Sequence, residues 1–128
     1  MLLLDTCTFL WWATDDPSVP GTVRDRLRDQ DEQVYLSAVS TWEVCIKHAL
    51  GKLPLPCPPA DYVPDRRRKL AIAPLGLEEP DVLAVAKLPA HHRDPFDRML
   101  VSQAIARGLT LVTPDPAIRA YPCVTWWG

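Results

Sequence analysis

Five acidic side chains, Asp5, Glu43, Asp94, Asp97 and Asp115, stand beside short apolar runs or at the openings of helical segments. Carboxylates brought together repel and raise one another's pKa. A divalent cation removes that penalty. Mg²⁺ takes oxygen ligands, commonly one or two carboxylates, with water and a substrate phosphate completing its shell. In phosphodiester hydrolysis such an ion generates the nucleophile and stabilises the leaving oxygen. Competing chemistries lack their residues. None of the three histidines has a convincing nucleophile beside it, and the five glycines form no G-x-G phosphate loop.

The elements that would position these acids follow from the apolar pattern. Residues 2–4 read as a buried strand and 6–13 as a short apolar helix that Asp15-Asp16-Pro17 breaks. A polar helix runs from 20 to about 31, a strand over 34–38 and a helix over 40–50, with Gly51 at its stop. The proline-rich run 53–59 excludes regular structure. Further helices are expected over 60–70, 80–88, 95–107 and 116–120, and strands over 71–75, 109–113 and 123–126. Strands alternating with helices from end to end predict one α/β domain over 1–128, a sandwich with a mainly parallel sheet. In such sheets ligands sit beyond the carboxyl ends of the strands. Asp5 follows the first strand, and Asp115 follows the strand at 109–113 after Pro114. Glu43 is expected in the first turn of its helix, and Asp94 and Asp97 open the helix before that strand. All five acids are thus expected near one edge, where helix N-termini add positive potential for a phosphate.

Each acid also has a plainer reading. Ser40-Thr41-Trp42-Glu43 is a capping-box pattern. Asp94 fits an N-cap, Asp97 a first-turn acid that suits the helix dipole, and Asp115 a cap for the short helix after it. Asp5 is hardest to explain this way, because an acid between Leu4 and an apolar helix is partly buried and needs a partner. Capping alone gives no reason for all of them to share an edge.

Leu3-Leu4-Asp5-Thr6, Ser40-x-Trp42-Glu43, His92-Arg93-Asp94-Pro95-Phe96-Asp97-Arg98 and Thr113-x-Asp115 resemble, in this order, the motifs of the PIN domain. More narrowly they resemble the VapC-type toxins of bacterial toxin–antitoxin pairs. The resemblance spans nearly the whole chain and is most specific in the segment 92–104. It implies a PIN-like three-layer α/β/α sandwich with four to five strands. It further implies Mg²⁺- or Mn²⁺-dependent endoribonuclease activity, a homodimer, and inhibition by a cognate antitoxin. Asp5, Glu43, Asp97 and Asp115 match the family's acidic quartet, which makes Asp94 the helix cap and an outer supporting group. Thr6 and Thr113 match small polar residues that support the site. Cys7 stands where relatives with this start often carry His, and Pro114 stiffens the approach to Asp115. Neither departure removes an acid.

Around the quartet, Arg98 is positioned to meet a phosphate or a neighbouring acid, a surface ion pair being the plainer reading. His91, His92 and Arg93 suit a loop lining the substrate cleft or a solvated loop. The basic run 66–69 reads as a solvated helix end. Trp11, Trp12, Trp42, Trp126 and Trp127 suit burial better than base stacking.

The totals add limits. The net charge of −2 carries no basic nucleic-acid signature, so an RNA would be held through metal and a few placed cations. Cys7, Cys45, Cys57 and Cys123 form no C-x-x-C pair and read as reduced, mostly buried thiols rather than a zinc site. The start at Met1 lacks the basic flank and cleavage site of a signal peptide, and no apolar run spans a membrane, so a cytoplasmic protein is expected. Two alternatives compete. A phospho-receiver module also sets acids at strand ends, but it resembles this chain poorly: Thr6 follows Asp5, and no Lys occurs after Lys87. A catalytically idle PIN-like scaffold would retain the fold and bind only a partner.

Overall fold

The computed structural model describes residues 1–90 and 94–128, so the expected substrate contacts His92 and Arg93, with His91, lie outside the described residues. Leu2, Leu3 and Leu4 form strand β1 (Leu2–Leu4), and all three are fully buried. Three consecutive leucines require cover on both faces of a sheet. Successive strand side chains point to opposite sides. Accordingly Leu2 and Leu4 enter one core and Leu3 the other.

The first core adds Val34 and Leu36 of β2 (Val34–Ser37) and Val112 of β4 (Thr110–Val112). Helices α1 (Thr6–Ala13), α2 (Gly21–Arg28) and α4 (Pro59–Lys69) close it with Phe9, Trp12, Val23, Leu27, Tyr62 and Val63. The second core packs Leu111 against Leu100, Val101 and Ala104 of α6 (Pro95–Arg107) and Ile118 of α7 (Pro116–Arg119). Helix α3 (Ala38–Ala49) serves both, with Val44 in the first and Val39 in the second. The three-layer sandwich is the expected one.

With β3 (Ala73–Leu75) and β5 (Thr125–Trp126) the sheet has the order β3-β2-β1-β4-β5, and every neighbouring pair is parallel. Leu4 lies between Leu36 and Val112 in register. The strand order turns back between β1 and β4. Their carboxyl ends therefore open onto the crevice where such sheets bind ligands.

Several boundaries differ from expectation. The helix expected over 80–88 is a short α5 (Glu79–Ala84) followed by a 3₁₀ turn at Val85–Lys87. Helix α3 starts earlier, at Ala38, because the Ser37 hydroxyl accepts from the Val39 N–H at 3.1 Å. Ser37, not Ser40, is the N-cap. Glu43 consequently sits in the second turn and caps nothing, which removes the capping-box reading. The cysteines are less buried than expected: Cys7 and Cys45 are exposed, and Cys57 and Cys123 are half-buried. On α1 the inward positions are Thr6, Thr8, Phe9, Trp12 and Ala13, which leaves Cys7 on the outward stripe. Helix α6 has the bounds its sequence predicts, with Asp94 at the start, Pro95 at the first position and Gly108 left-handed at φ 65°.

Candidate active site

A cleft of about 420 Å³ opens at the carboxyl ends of β1 and β4, and Asp5, Glu43, Asp94, Asp97 and Asp115 all line it. Asp5 links β1 to α1. Its backbone N–H extends the sheet by donating to the Val112 carbonyl at 3.2 Å. Its carboxylate accepts from the Thr8 N–H at 2.8 Å, so it also caps α1. Only 4% of Asp5 is exposed. Burial pushes its pKa above the ordinary carboxylate value; bonds to Thr113 and Thr8 oppose the rise, and the charge of Asp115 adds to it.

Asp115 stands beyond β4, caps α7 through the Ala117 N–H at 2.9 Å, and donates its own N–H to Thr113 Oγ1 at 3.1 Å. Thr113 therefore ties the two strand-end acids together, being bonded to both. Asp94 caps α6, accepting from the Phe96 and Asp97 N–H groups at 2.9 and 3.3 Å. That cap fixes the first turn of α6, from which Asp97 reaches the cleft.

Glu43 comes from the second turn of α3 and is 4% exposed. Both its oxygens are held. Thr6 Oγ1 donates to Oε1 at 2.6 Å and lies 3.0 Å from Ser40 Oγ. The single Thr6 proton goes to the carboxylate, so Ser40 donates to Thr6. On the other side Lys47 Nζ donates to Oε2 at 2.5 Å. That bond raises the Lys47 pKa, and the charges of Asp94 and Asp97 raise it further. Lys47 was not singled out in the sequence, and Ser40 entered only as a helix cap and a motif position. The signal for Lys47 was its i,i+4 spacing from Glu43, the orientation that favours an ion pair along a helix.

Cys7 also lines the cleft, and burial together with the nearby Asp5 charge pushes its thiol up to about 11. A thiol held in that direction is a poor nucleophile at neutral pH. Arg98 does not line the cleft. One residue beyond Asp97 on a helix lies a quarter-turn or more round the axis. Its guanidinium donates instead to the Pro89 carbonyl at 2.8 Å and to the Tyr121 hydroxyl at 3.0 Å. The basic run 66–69 lies elsewhere, with Arg68 and Lys69 paired to Asp65 on its own helix. Trp12 is buried, whereas Trp42 is 59% exposed and meets Phe96 edge-on at 5.1 Å.

The cleft offers hard oxygen donors of the kind Mg²⁺ and Mn²⁺ take. Among the described residues no three acid, histidine or cysteine groups converge closely enough to hold a metal as they stand. The donors nevertheless fit such an ion in chemistry: a buried carboxylate held in its neutral direction, a second acid adding to that pressure, and a third already bonded to a cation.

The profile of the PIN domain family matches residues 2–122. A segment of 52 residues is 46% identical to Ribonuclease VapC16 of Mycobacterium tuberculosis (strain ATCC 25618 / H37Rv). That match covers 41% of this chain and 37% of the relative, little more than a third of its length. Among solved structures, VapBC2 from Rickettsia felis, bound to a DNA fragment from its promoter, superposes with a TM-score of 0.71 at 14% identity. The superposition covers 98% of this chain and 96% of that one. DNA-bound VapBC from Salmonella typhimurium gives a TM-score of 0.70 at 17% identity, covering 97% and 94%. At these identities the superpositions speak for the fold.

Proposed function

Because the chain belongs to the PIN domain family, we propose that it is a metal-dependent endoribonuclease, the toxin of a toxin–antitoxin pair. One observation carries the reading. Asp5, Glu43, Asp97 and Asp115, from four separate parts of the chain, line a single cleft at the sheet's switch point. Helix capping accounts for Asp5 and Asp115 locally but gives no cause for Glu43, which caps nothing and is buried facing the same cleft.

In this reading Asp5, Asp97 and Asp115 hold Mg²⁺ or Mn²⁺, and Glu43 completes the set directly or through water. The bound ion would lower the pKa of the attacking water and neutralise charge at the scissile phosphate. The chain's own residues prepare the place. Thr113 holds Asp5 and Asp115 in fixed relation. Thr6 fixes the Glu43 rotamer, leaving its second oxygen toward the cleft. Asp94 fixes the opening turn of α6 and thereby Asp97. The N-termini of α1 and α6 open near the same acids and favour the phosphate.

Partners follow from the same reading. The antitoxin proposal draws on the VapBC neighbours. A small cognate antitoxin would silence the enzyme by covering the acidic cleft, with a basic side chain among the carboxylates. The toxin itself would be a homodimer. RNA in the cytoplasm is the expected substrate pool, and no described helix is long and apolar enough to cross a membrane.

The test is cleavage of a mixed RNA pool by purified protein with Mg²⁺, with Mn²⁺ and with EDTA, beside Asp97→Asn. Cleavage is expected with metal, absent in EDTA and reduced about 100-fold or more in the variant, the scale of losing a group that acts on the transition state. Absence of both cleavage and Mn²⁺ binding would instead favour the idle-scaffold reading.

A further inference from the structure

We propose that Lys47 is the cleft's own counter-ion, and that a divalent cation engaging Glu43 directly displaces its ammonium. The inference rests on the metal reading of the cleft. Its grounds are the two unequal bonds that hold Glu43.

Glu43 is nearly fully buried, so its charge has little water to rely on. Thr6 satisfies Oε1 and Lys47 satisfies Oε2. Each oxygen keeps a second lone pair, but an ion that takes Oε2 would stand beside an ammonium 2.5 Å from the same atom, and like charges at that range repel strongly enough to push one of them out. Thr6 cannot leave cheaply. It is itself buried, stands in the first turn of α1 and is bonded to Ser40. Lys47 can leave. Its side chain is 48% exposed, against 5% for the Glu43 side chain. A released ammonium swings on a flexible stem into water, where it is fully hydrated.

The position of Lys47 suits the task. It follows Glu43 by one helical turn and lines the same cleft as Asp5, Asp97 and Asp115. Glu43 is its main hold, and the charges of Asp94 and Asp97 add to it. A monovalent group on the protein thus occupies, in part, the electrostatic place of the ion. It relieves repulsion among the acids while the metal is absent. It also opposes the metal's arrival, and so sets the concentration at which the cleft fills.

Mn²⁺ titration by calorimetry decides the matter, using wild type, Lys47→Met, Lys47→Arg and Asp97→Asn. Lys47→Met is expected to bind Mn²⁺ at least threefold more tightly than wild type. Lys47→Arg, which keeps a cation in place, is expected within twofold of wild type. Thermal melts give an independent readout: in EDTA the Met variant melts below wild type, and saturating Mn²⁺ raises its Tm by more. Equal or weaker Mn²⁺ binding by Lys47→Met would overturn the proposal while leaving the metal reading standing, provided that Asp97→Asn weakens binding tenfold or more. No saturable binding by wild type would bring down the metal reading and the proposal with it.

Discussion

Asp5 carries two duties at once, and they pull its protonation in opposite directions. As a helix cap its carboxylate is well served, since the Thr8 N–H bonds to it. As a buried charge facing Asp115 it is disfavoured, and burial dominates, so its folded pKa lies above the ordinary value. A group whose pKa rises on folding contributes most below its unfolded pKa, and that contribution is lost as pH rises through the folded value. In EDTA, wild type is therefore expected to lose stability from this source as pH climbs above the ordinary aspartate range. Asn caps a helix about as well as Asp and has no charge to bury. Asp5→Asn should melt higher than wild type at pH 7 without metal, and the difference should shrink toward pH 4. Melts across that range would check it. A variant that melts lower at pH 7 would mean that the cap outweighs the burial. With Mn²⁺ the order should reverse, because the variant lacks the ligand.

Helix α5 is short, and Val82 and Leu83 on it are exposed, so little apolar burial secures it. Asp81 does that work. It is buried, bonds Arg107 of α6 at 2.6 Å and accepts from Gln103 at 3.3 Å. Arg107 holds its carboxyl below the usual range. Asp81→Ala should cost about 2–3 kcal/mol, below the roughly 3–5 kcal/mol for breaking a fully buried pair because Arg107 is partly exposed. Urea denaturation would measure it, and the loss should fade as pH falls through the Asp81 titration. The elements differ in how openly the sequence declares them. Helix α6 is legible from Asp94-Pro95 at one end and Gly108 at the other, since each residue has a local conformational reason to be there. The start of α3 is not. Ser40-Thr41-Trp42-Glu43 imitates a cap, but Ser37 takes the Val39 N–H while Ser40 and Glu43 meet the distant Thr6 of α1 instead. Lys47 escaped for the same reason: its partner is on its own helix, but its importance comes from acids far along the chain. Arg98 follows Asp97 in sequence but diverges from it on the helix, and its guanidinium meets Tyr121.

Over the whole molecule the net charge is −2, so no broad positive field draws in a polyanion. If RNA is engaged through a metal and a few cations, few condensed counterions are released on binding. Proteins that neutralise six to ten phosphates lose roughly 10³–10⁵ in affinity between 50 and 200 mM salt. Here kcat/KM for RNA cleavage should fall by no more than about tenfold over that interval, a shallow slope on the same scale. A steep slope would require a basic surface supplied by a partner or a second copy.

The capping duty of Asp5, Asp94 and Asp115 bears on how this architecture ages in a lineage. A descendant released from catalysis would still need those carboxylates or their amides to begin three helices, so selection for folding alone would preserve them. Glu43 enjoys no such protection, because it starts nothing and its burial is a burden once its task is gone. Among relatives, the fate of Glu43 is the better witness to whether a cleft of this kind is still at work.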